Sequence, residues 1–323
     1  MKVFDGHCDT ISMATRSGAS IRRTQGHLDL ERMGKYEGWA QLFACFAPMK
    51  YVQEPMWEVF QREVATFQKE LAANTDLVSQ CRTAGEVEAA WAAGKSAAIL
   101  SVEGAELLDC DLDKLQIAYD LGARAVGLTW NFTNALSGTN AEGAALGLTD
   151  QGRAFVKRMG ELGMMVDVSH LSDPGFWDVL EISRKPIIAS HSNSRAMCGH
   201  TRNLTDEMFL ALVKNGGTTG LNMCADFVGE EPTIDTVVAH VEHFFALGGE
   251  GHVAMGGDWD GAERIFLAAL TEAEETGDRR AALSLCSELM GFYRQRADAE
   301  KFYPVLGRCT ELLGEVRPGA AAR

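Results

Sequence analysis

Near the N-terminus His7 and Asp9 stand two residues apart, and the same spacing returns at Asp258 and Asp260. Between these pairs lie Glu103 in Ser101-Val102-Glu103-Gly104, His170 in Asp167-Val168-Ser169-His170, and His191 in Ala189-Ser190-His191-Ser192. Three histidines with carboxylates suit Zn²⁺ or a similar borderline cation. A carboxylate such as Glu103 can give one oxygen to each of two ions. Two ions roughly 3.5–4 Å apart activate a water between them and polarise a carbonyl oxygen. Such chemistry needs no Ser or Cys nucleophile. Asp258 or Asp260 can carry the proton from the attacking water to a leaving amine. Each residue alone is weak evidence, because a polar residue at a strand end is more often a satisfied cap. Such residues at five separate strand ends around one barrel mouth are harder to explain as structure, because burying them without a cation is costly.

Eight short apolar runs recur, five of them with these residues at their ends: 3–9, 40–48, 97–104, 125–131, 164–170, 186–192, 218–224 and 253–260. Most are continuous rather than alternating, as buried parallel strands are. Amphipathic stretches lie between them, with Glu54–Ala73 and Thr149–Leu162 the clearest. Ser172-Asp173-Pro174 is a helix start with a cap and a first-turn proline, and Thr205 caps another stretch that Gly216-Gly217 ends. Alternating strands and helices predict an α/β fold, a (β/α)₈ TIM-type barrel whose site gathers at the C-terminal ends of the strands. No G-x-G-x-x-G follows the first strand, which argues against a dinucleotide-binding sheet. A period of two places His7 and Asp9 on one face of the first strand, with Cys8 on the other, and treats Asp258 and Asp260 alike. His27, His200, His240, His243 and His252 read as helix caps or solvent-facing residues.

The chain of 323 residues carries 30 Lys and Arg against 45 Asp and Glu, a net charge of −15. That balance disfavours nucleic acid and anionic membrane surfaces as partners. Eight cysteines lie scattered without a C-x-x-C pair, so reduced core thiols and a cytoplasmic location are expected. Neither an export signal nor an apolar run of membrane-spanning length is read, so no membrane anchor is expected.

With these motifs the sequence resembles the renal (membrane) dipeptidase family, zinc peptidases of the amidohydrolase-like barrel type. Phe4-Asp5-Gly6-His7-Cys8-Asp9-Thr10 resembles the family's opening motif. Ser101–Gly104 resembles its bridging-glutamate block, and Asp167–His170 and Ala189–Ser192 its two histidine blocks. Arg202-Asn203-Leu204-Thr205-Asp206 and Gly256-Gly257-Asp258-Trp259-Asp260-Gly261 match two further segments, as do His27–Leu30 and Ala40–Phe43. The resemblance implies two Zn²⁺ per chain, with His7 and Asp9 on one, His170 and His191 on the other, and Glu103 bridging. It implies Asp258 as proton shuttle, Arg202 on the substrate's C-terminal carboxylate and Asp260 near the free amine. A dipeptide is the implied substrate, with a D-residue tolerated on its C-terminal side, and a homodimer the implied assembly. Where family members often carry a histidine after Leu-Thr, this chain has Trp130 and Asn131, whose N–H groups could serve a developing oxyanion. Met223 and Cys224 follow Asn222 where an aromatic is common.

From Ala262 onward the sequence departs from the family pattern. Residues 262–323 read as three amphipathic helices resembling a tetratricopeptide-type hairpin, as a fusion or a sequence artefact would. The expected organisation is therefore a barrel over 1–261 and a helical segment over 262–323. The expected activity is metal-dependent hydrolysis of dipeptides by a hydroxide held between the metals. The alternatives are an amidohydrolase or lactonase acting on another acyl substrate, or an inactive barrel that binds partners through its tail.

Overall fold

The computed structural model describes residues 1–24, 26–47, 49 and 54–259. The expected helical segment over 262–323 and Asp260 lie outside the described residues.

The strands are β1 (Lys2–Cys8), β2 (Gly38–Phe46), β3 (Val78–Gln80), β4 (Ser96–Glu103), β5 (Ala123–Gly127), β6 (Met165–Asp167), β7 (Ile188–Ala189), β8 (Thr218–Leu221) and β9 (Val253–Met255). All pairings are parallel. They run β2-β1-β9-β8-β7-β6-β5-β4, and β4 pairs back onto β2 from Ala40↔Ala97 to Phe46↔Glu103. Eight strands thus close a (β/α)₈ barrel with no free edge. The ninth, β3, pairs only with the first half of β4, at Val78↔Ser96 to Gln80↔Ala98, while β5 takes the second half. β3 lies in Asp76-Leu77-Val78-Ser79-Gln80, which is not a continuous apolar run, so it is absent from the eight runs visible in the sequence.

The helices are α1 (Thr10–Ser17), α2 (Leu30–Met33), α3 (Met56–Ala73), α4 (Ala84–Ala92), α5 (Leu112–Leu121), α6 (Asp150–Leu162), α7 (Asp173–Ile182), α8 (Asp206–Asn215), α9 (Ala225–Val228) and α10 (Ile234–Ala246). Their starts follow side-chain chemistry. The Thr149, Ser172 and Thr205 side chains each accept a backbone N–H from the first turn, and Thr83 forms a reciprocal capping box with Glu86. α5, α6 and α8 end on left-handed glycines. The apolar faces of these helices meet the barrel wall in one large core that includes Phe43, Phe60, Phe67, Phe155, Phe176 and Phe209.

The later strands are shorter than their apolar runs. β6, β7 and β9 stop at Asp167, Ala189 and Met255, so His170, His191 and Asp258 stand on the loops just beyond. The alternation argument therefore does not apply to Asp258. Asp258 has φ of 48°, the left-handed region that costs a non-glycine residue roughly 1–2 kcal/mol. β1 also departs from simple alternation: its register against β2 shifts between Asp5 and Cys8. A bulge there re-aims side chains, as bulges beside functional sites commonly do.

His240 corrects an expectation. It is buried, accepting the Ser194 N–H on Nδ1 (3.1 Å) and donating from Nε2 to the Val228 carbonyl (2.9 Å). Both backbone partners fix one neutral tautomer, and burial lowers its pKa. Among the described residues no helix is long and apolar enough to cross a membrane.

Candidate active site

The bulged end of β1 delivers His7, and Asp9 follows as the residue preceding α1. Glu103 is the last residue of β4, and His170, His191 and Asp258 come from the loops after β6, β7 and β9. Six of the residues singled out in the sequence thus converge. His7, Asp9 and Glu103 form one group, Glu103, His170 and His191 a second, and His7, His191 and Asp258 a third, each with ligand atoms within 4.8 Å of one another.

Glu103 joins them. Its Oε2 lies 3.4 Å from His7 Nε2, while its Oε1 lies 2.8 Å from His170 Nε2 and 3.4 Å from His191 Nε2. His7 Nε2 is also 3.7 Å from Asp9 Oδ1 and 3.9 Å from Asp258 Oδ1. His7, Glu103, His170 and His191 are all buried.

The hydrogen-bond partners assign the protons. The Ser190 hydroxyl bonds Asp167 Oδ2, and the Ser169 hydroxyl donates to Asp167 Oδ1 (2.9 Å). With its own proton spent on Asp167, Ser190 Oγ can only accept from His191 Nδ1–H (2.7 Å). His170 Nδ1 lies 3.0 Å from Asn131 Oδ1, an acceptor, so its proton is there. Both imidazoles therefore turn a bare Nε2 lone pair inward. These two nitrogens are 3.1 Å apart, and both face Glu103 Oε1. Three electron-rich atoms facing one another are repulsive unless a cation lies between them. Across Glu103, His7 Nε2 and Asp9 Oδ1 are buried without a hydrogen-bond partner. The donor set fits a pair of divalent cations.

The electrostatics of the site agree. Burial lowers His170 and His191 far below the usual imidazole value, with Arg202 and His7 adding to it, and keeps both neutral. Burial would also lower His7, but the negative charges of Glu103 and Asp9 outweigh it and raise it well above that value. A proton at His7 thus answers the surrounding carboxylates. Burial raises Glu103 and Asp258, and the His7 charge pulls both back.

Arg202 is buried beside the cluster. Its Nη1 donates to the Ser169 carbonyl (2.7 Å) and the Ser192 hydroxyl (3.3 Å), and Nη2 reaches His170 Nε2 (3.1 Å). Its Nε is buried without a partner, and among the described residues it makes no salt bridge. Trp130 packs between Phe46 and Phe132, at ring separations of 5.0 and 5.4 Å, with His170 at 6.3 Å. The side-chain oxygen of Asn131, whose amide N–H was expected to serve an oxyanion, is engaged by the His170 ring.

Three supporting residues stood inside the quoted motifs with no role attached: Asp5, Asp167 and Ser190. Asp5 is fully buried and accepts hydrogen bonds from His7 N (3.0 Å), Gln41 Nε2 (3.1 Å), Gly257 N (3.2 Å) and Trp259 Nε1 (2.7 Å). Burial raises its pKa, and these donors oppose the shift. A carboxylate two residues before a ligand-type histidine was the available signal.

The sequence and the fold have relatives among known proteins. The sequence pattern described as "Membrane dipeptidase (Peptidase family M19)" matches residues 1–276, running past Gly261. An uncharacterised protein from the PQQ-III 3′ region of Acinetobacter calcoaceticus is 31% identical, the match covering 75% of this chain and 88% of that one. An uncharacterised dipeptidase of Schizosaccharomyces pombe is 31% identical, covering 73% of this chain and 61% of that protein. Among solved structures, a metallo peptidase from Rhodobacter sphaeroides liganded with a phosphinate mimic of the dipeptide L-Ala-D-Ala is similar. It shows 28% identity and a TM-score of 0.73, with 96% of this chain and 99% of that chain covered.

Proposed function

The chain belongs to the membrane dipeptidase family, peptidase family M19, and from that premise we propose that it is a binuclear zinc dipeptidase whose site is the cluster around Glu103. The observation that carries this reading is the placement of the Glu103 oxygens, one toward His7 and the other toward two inward lone pairs, at His170 and His191. His7 and Asp9 would hold one ion and His170 and His191 the other, with Glu103 shared between the two groups. When bound, such ions supply Lewis-acid polarisation of the scissile carbonyl and a lowered pKa for the attacking water.

The protein's own groups do the rest. Asp167, acting through Ser190, fixes the ring orientation of His191, and Asn131 fixes that of His170, so each presents Nε2 inward. Asn222 Nδ2 donates to Asp258 Oδ2 (3.0 Å), leaving Oδ1 toward His7 and the reacting centre. Asp258 takes the proton of the attacking water and gives it to the leaving amine. Arg202, cationic and buried with an unused N–H, binds the free carboxylate of the C-terminal residue; a planar fork matches that group. Asp260 remains our candidate for the free amine. Trp130, between Phe46 and Phe132, walls the mouth beside His170. The dipeptide mimic held by the Rhodobacter sphaeroides peptidase supports a dipeptide substrate, and its D-alanine supports tolerance of a D-residue on the C-terminal side.

The test is metal analysis and dipeptide hydrolysis on one monodisperse sample. Two zinc per chain, with turnover that chelation abolishes and zinc restores, is the expected result. Turnover that survives complete metal removal would sink the proposal.

A further inference from the structure

Asp258 sits in a strained backbone conformation, on a loop that β9 no longer holds. Something must fix it, and the residues on either side show what does. The Gly257 backbone N–H donates to Asp5 Oδ1 (3.2 Å), and the Trp259 indole N–H donates to Asp5 Oδ2 (2.7 Å). The same Oδ1 accepts the backbone N–H of His7 (3.0 Å). Gln41 Nε2, from the neighbouring strand, adds a further donor (3.1 Å). One fully buried carboxylate therefore grips both neighbours of Asp258 and the backbone of His7, across the seam where the first and last strands close the barrel. All four contacts are N–H donors, so an ionised carboxylate is the group that satisfies them.

We propose that Asp5 is a positioning residue that sets the Asp258 carboxylate against His7 by clamping Gly257 and Trp259. This rests on the reading of Asp258 as the proton carrier. A shift of about 1 Å in such a group can cost on the order of 100-fold in rate. A brace that served only the fold would act on stability and metal content instead.

Asp5→Asn separates the two. The amide oxygen keeps the contacts of Oδ1, but the amide N–H₂ now faces the Trp259 indole N–H, donor against donor. Trp259→Phe removes the same contact from the other side and guards against a folding failure in Asp5→Asn. The expected result is a loss of about 10- to 100-fold in kcat for each variant, with KM and metal stoichiometry held. The double variant should be no worse than Asp5→Asn alone, because both act through one bond. The indole ¹H–¹⁵N resonance of Trp259, assigned by its absence in Trp259→Phe, should move in Asp5→Asn. Wild-type kcat in Asp5→Asn, losses that multiply in the double variant, or loss of activity in step with loss of metal would each overturn the proposal. An Asp258→Asn protein with wild-type turnover would instead refute the proton-carrier reading. The Trp259 resonance then judges the clamp by itself, and an unmoved resonance overturns it.

Discussion

Glu103, buried, and Asp258, half-buried, are both carboxylates within 4 Å of His7 Nε2, yet their surroundings give them different work. Glu103 faces a nitrogen ligand with each oxygen, and Asp258 spends one oxygen on Asn222 and leaves the other toward the reacting centre. Neutralising each should therefore fail differently. Glu103→Gln should lower metal content and abolish turnover while far-ultraviolet circular dichroism stays unchanged. Asp258→Asn should keep two metals per chain and lose about 10²- to 10⁴-fold in kcat, the usual worth of a positioned proton carrier. Metal analysis and steady-state kinetics on the two proteins check both. The hydroxyl of Ser190 belongs to the same scale: between Asp167 and His191 it carries a carboxylate's influence one residue further than a direct pair would.

The strands that bring these residues together approach each other closely at one place. A Cβ added to Gly6 on β1, Gly220 on β8 or Gly256 just after β9 would run into the Ser190 carbonyl oxygen beyond β7. Backbone cannot yield as a flexible side chain does, so only glycine fits. Gly256→Ala should cost about 3 kcal/mol, at the upper end for overpacking, and disturb the loop that carries Asp258. Chemical denaturation read alongside kcat tests this, and a variant within about 0.5 kcal/mol of wild type, the range of neutral surface changes, would refute it. The same crowding explains why β7 needs only two residues of ladder: its loop is held by side chains, with Asp167 accepting the Ser190 backbone N–H at 3.0 Å.

Over the whole molecule, buried acid governs stability. Glu63 on α3 is buried, accepts the Phe46 backbone N–H (2.8 Å), and is pushed up to about 8 by burial. Its folded pKa exceeds the unfolded one, so the folded state holds the extra proton between about pH 4.5 and 8. Stability then falls with rising pH across that window and levels off above it. Glu63→Gln should raise the thermal midpoint by at least about 2 °C at pH 8.5 and change it little at pH 4. Equal shifts at both pH values would refute the assignment. Removing metal should act in the opposite sense. Chelation leaves Asp9, Glu103 and Asp258 only a His7 proton and the Arg202 cation as counter-charge, and the lost binding energy, about 4 kcal/mol for an ion at a thousand times its Kd, should lower the midpoint by several degrees. Scanning calorimetry with and without chelator measures it.

The residue types and their order along the chain pointed to the barrel and to six residues that the structure brings together, His7, Asp9, Glu103, His170, His191 and Asp258, and the family resemblance added Arg202, which lies beside His170. Buried parallel strands are written as continuous apolar runs, and a hydrolase of this fold places its polar groups where those runs end, so both signals are local. The third strand, the short ladders of β6, β7 and β9, and the left-handed turn at Asp258 were not legible, because pairing depends on a neighbour distant in sequence. The same holds for His240, whose two backbone partners lie 12 and 46 residues away, and for Asp5, whose role arises only when residue 257 arrives 252 positions later. Sequence determined which atoms could bind a cation or carry a proton. Tertiary structure decided which lone pairs face inward, because that depends on the hydrogen bond each ring makes on its far side.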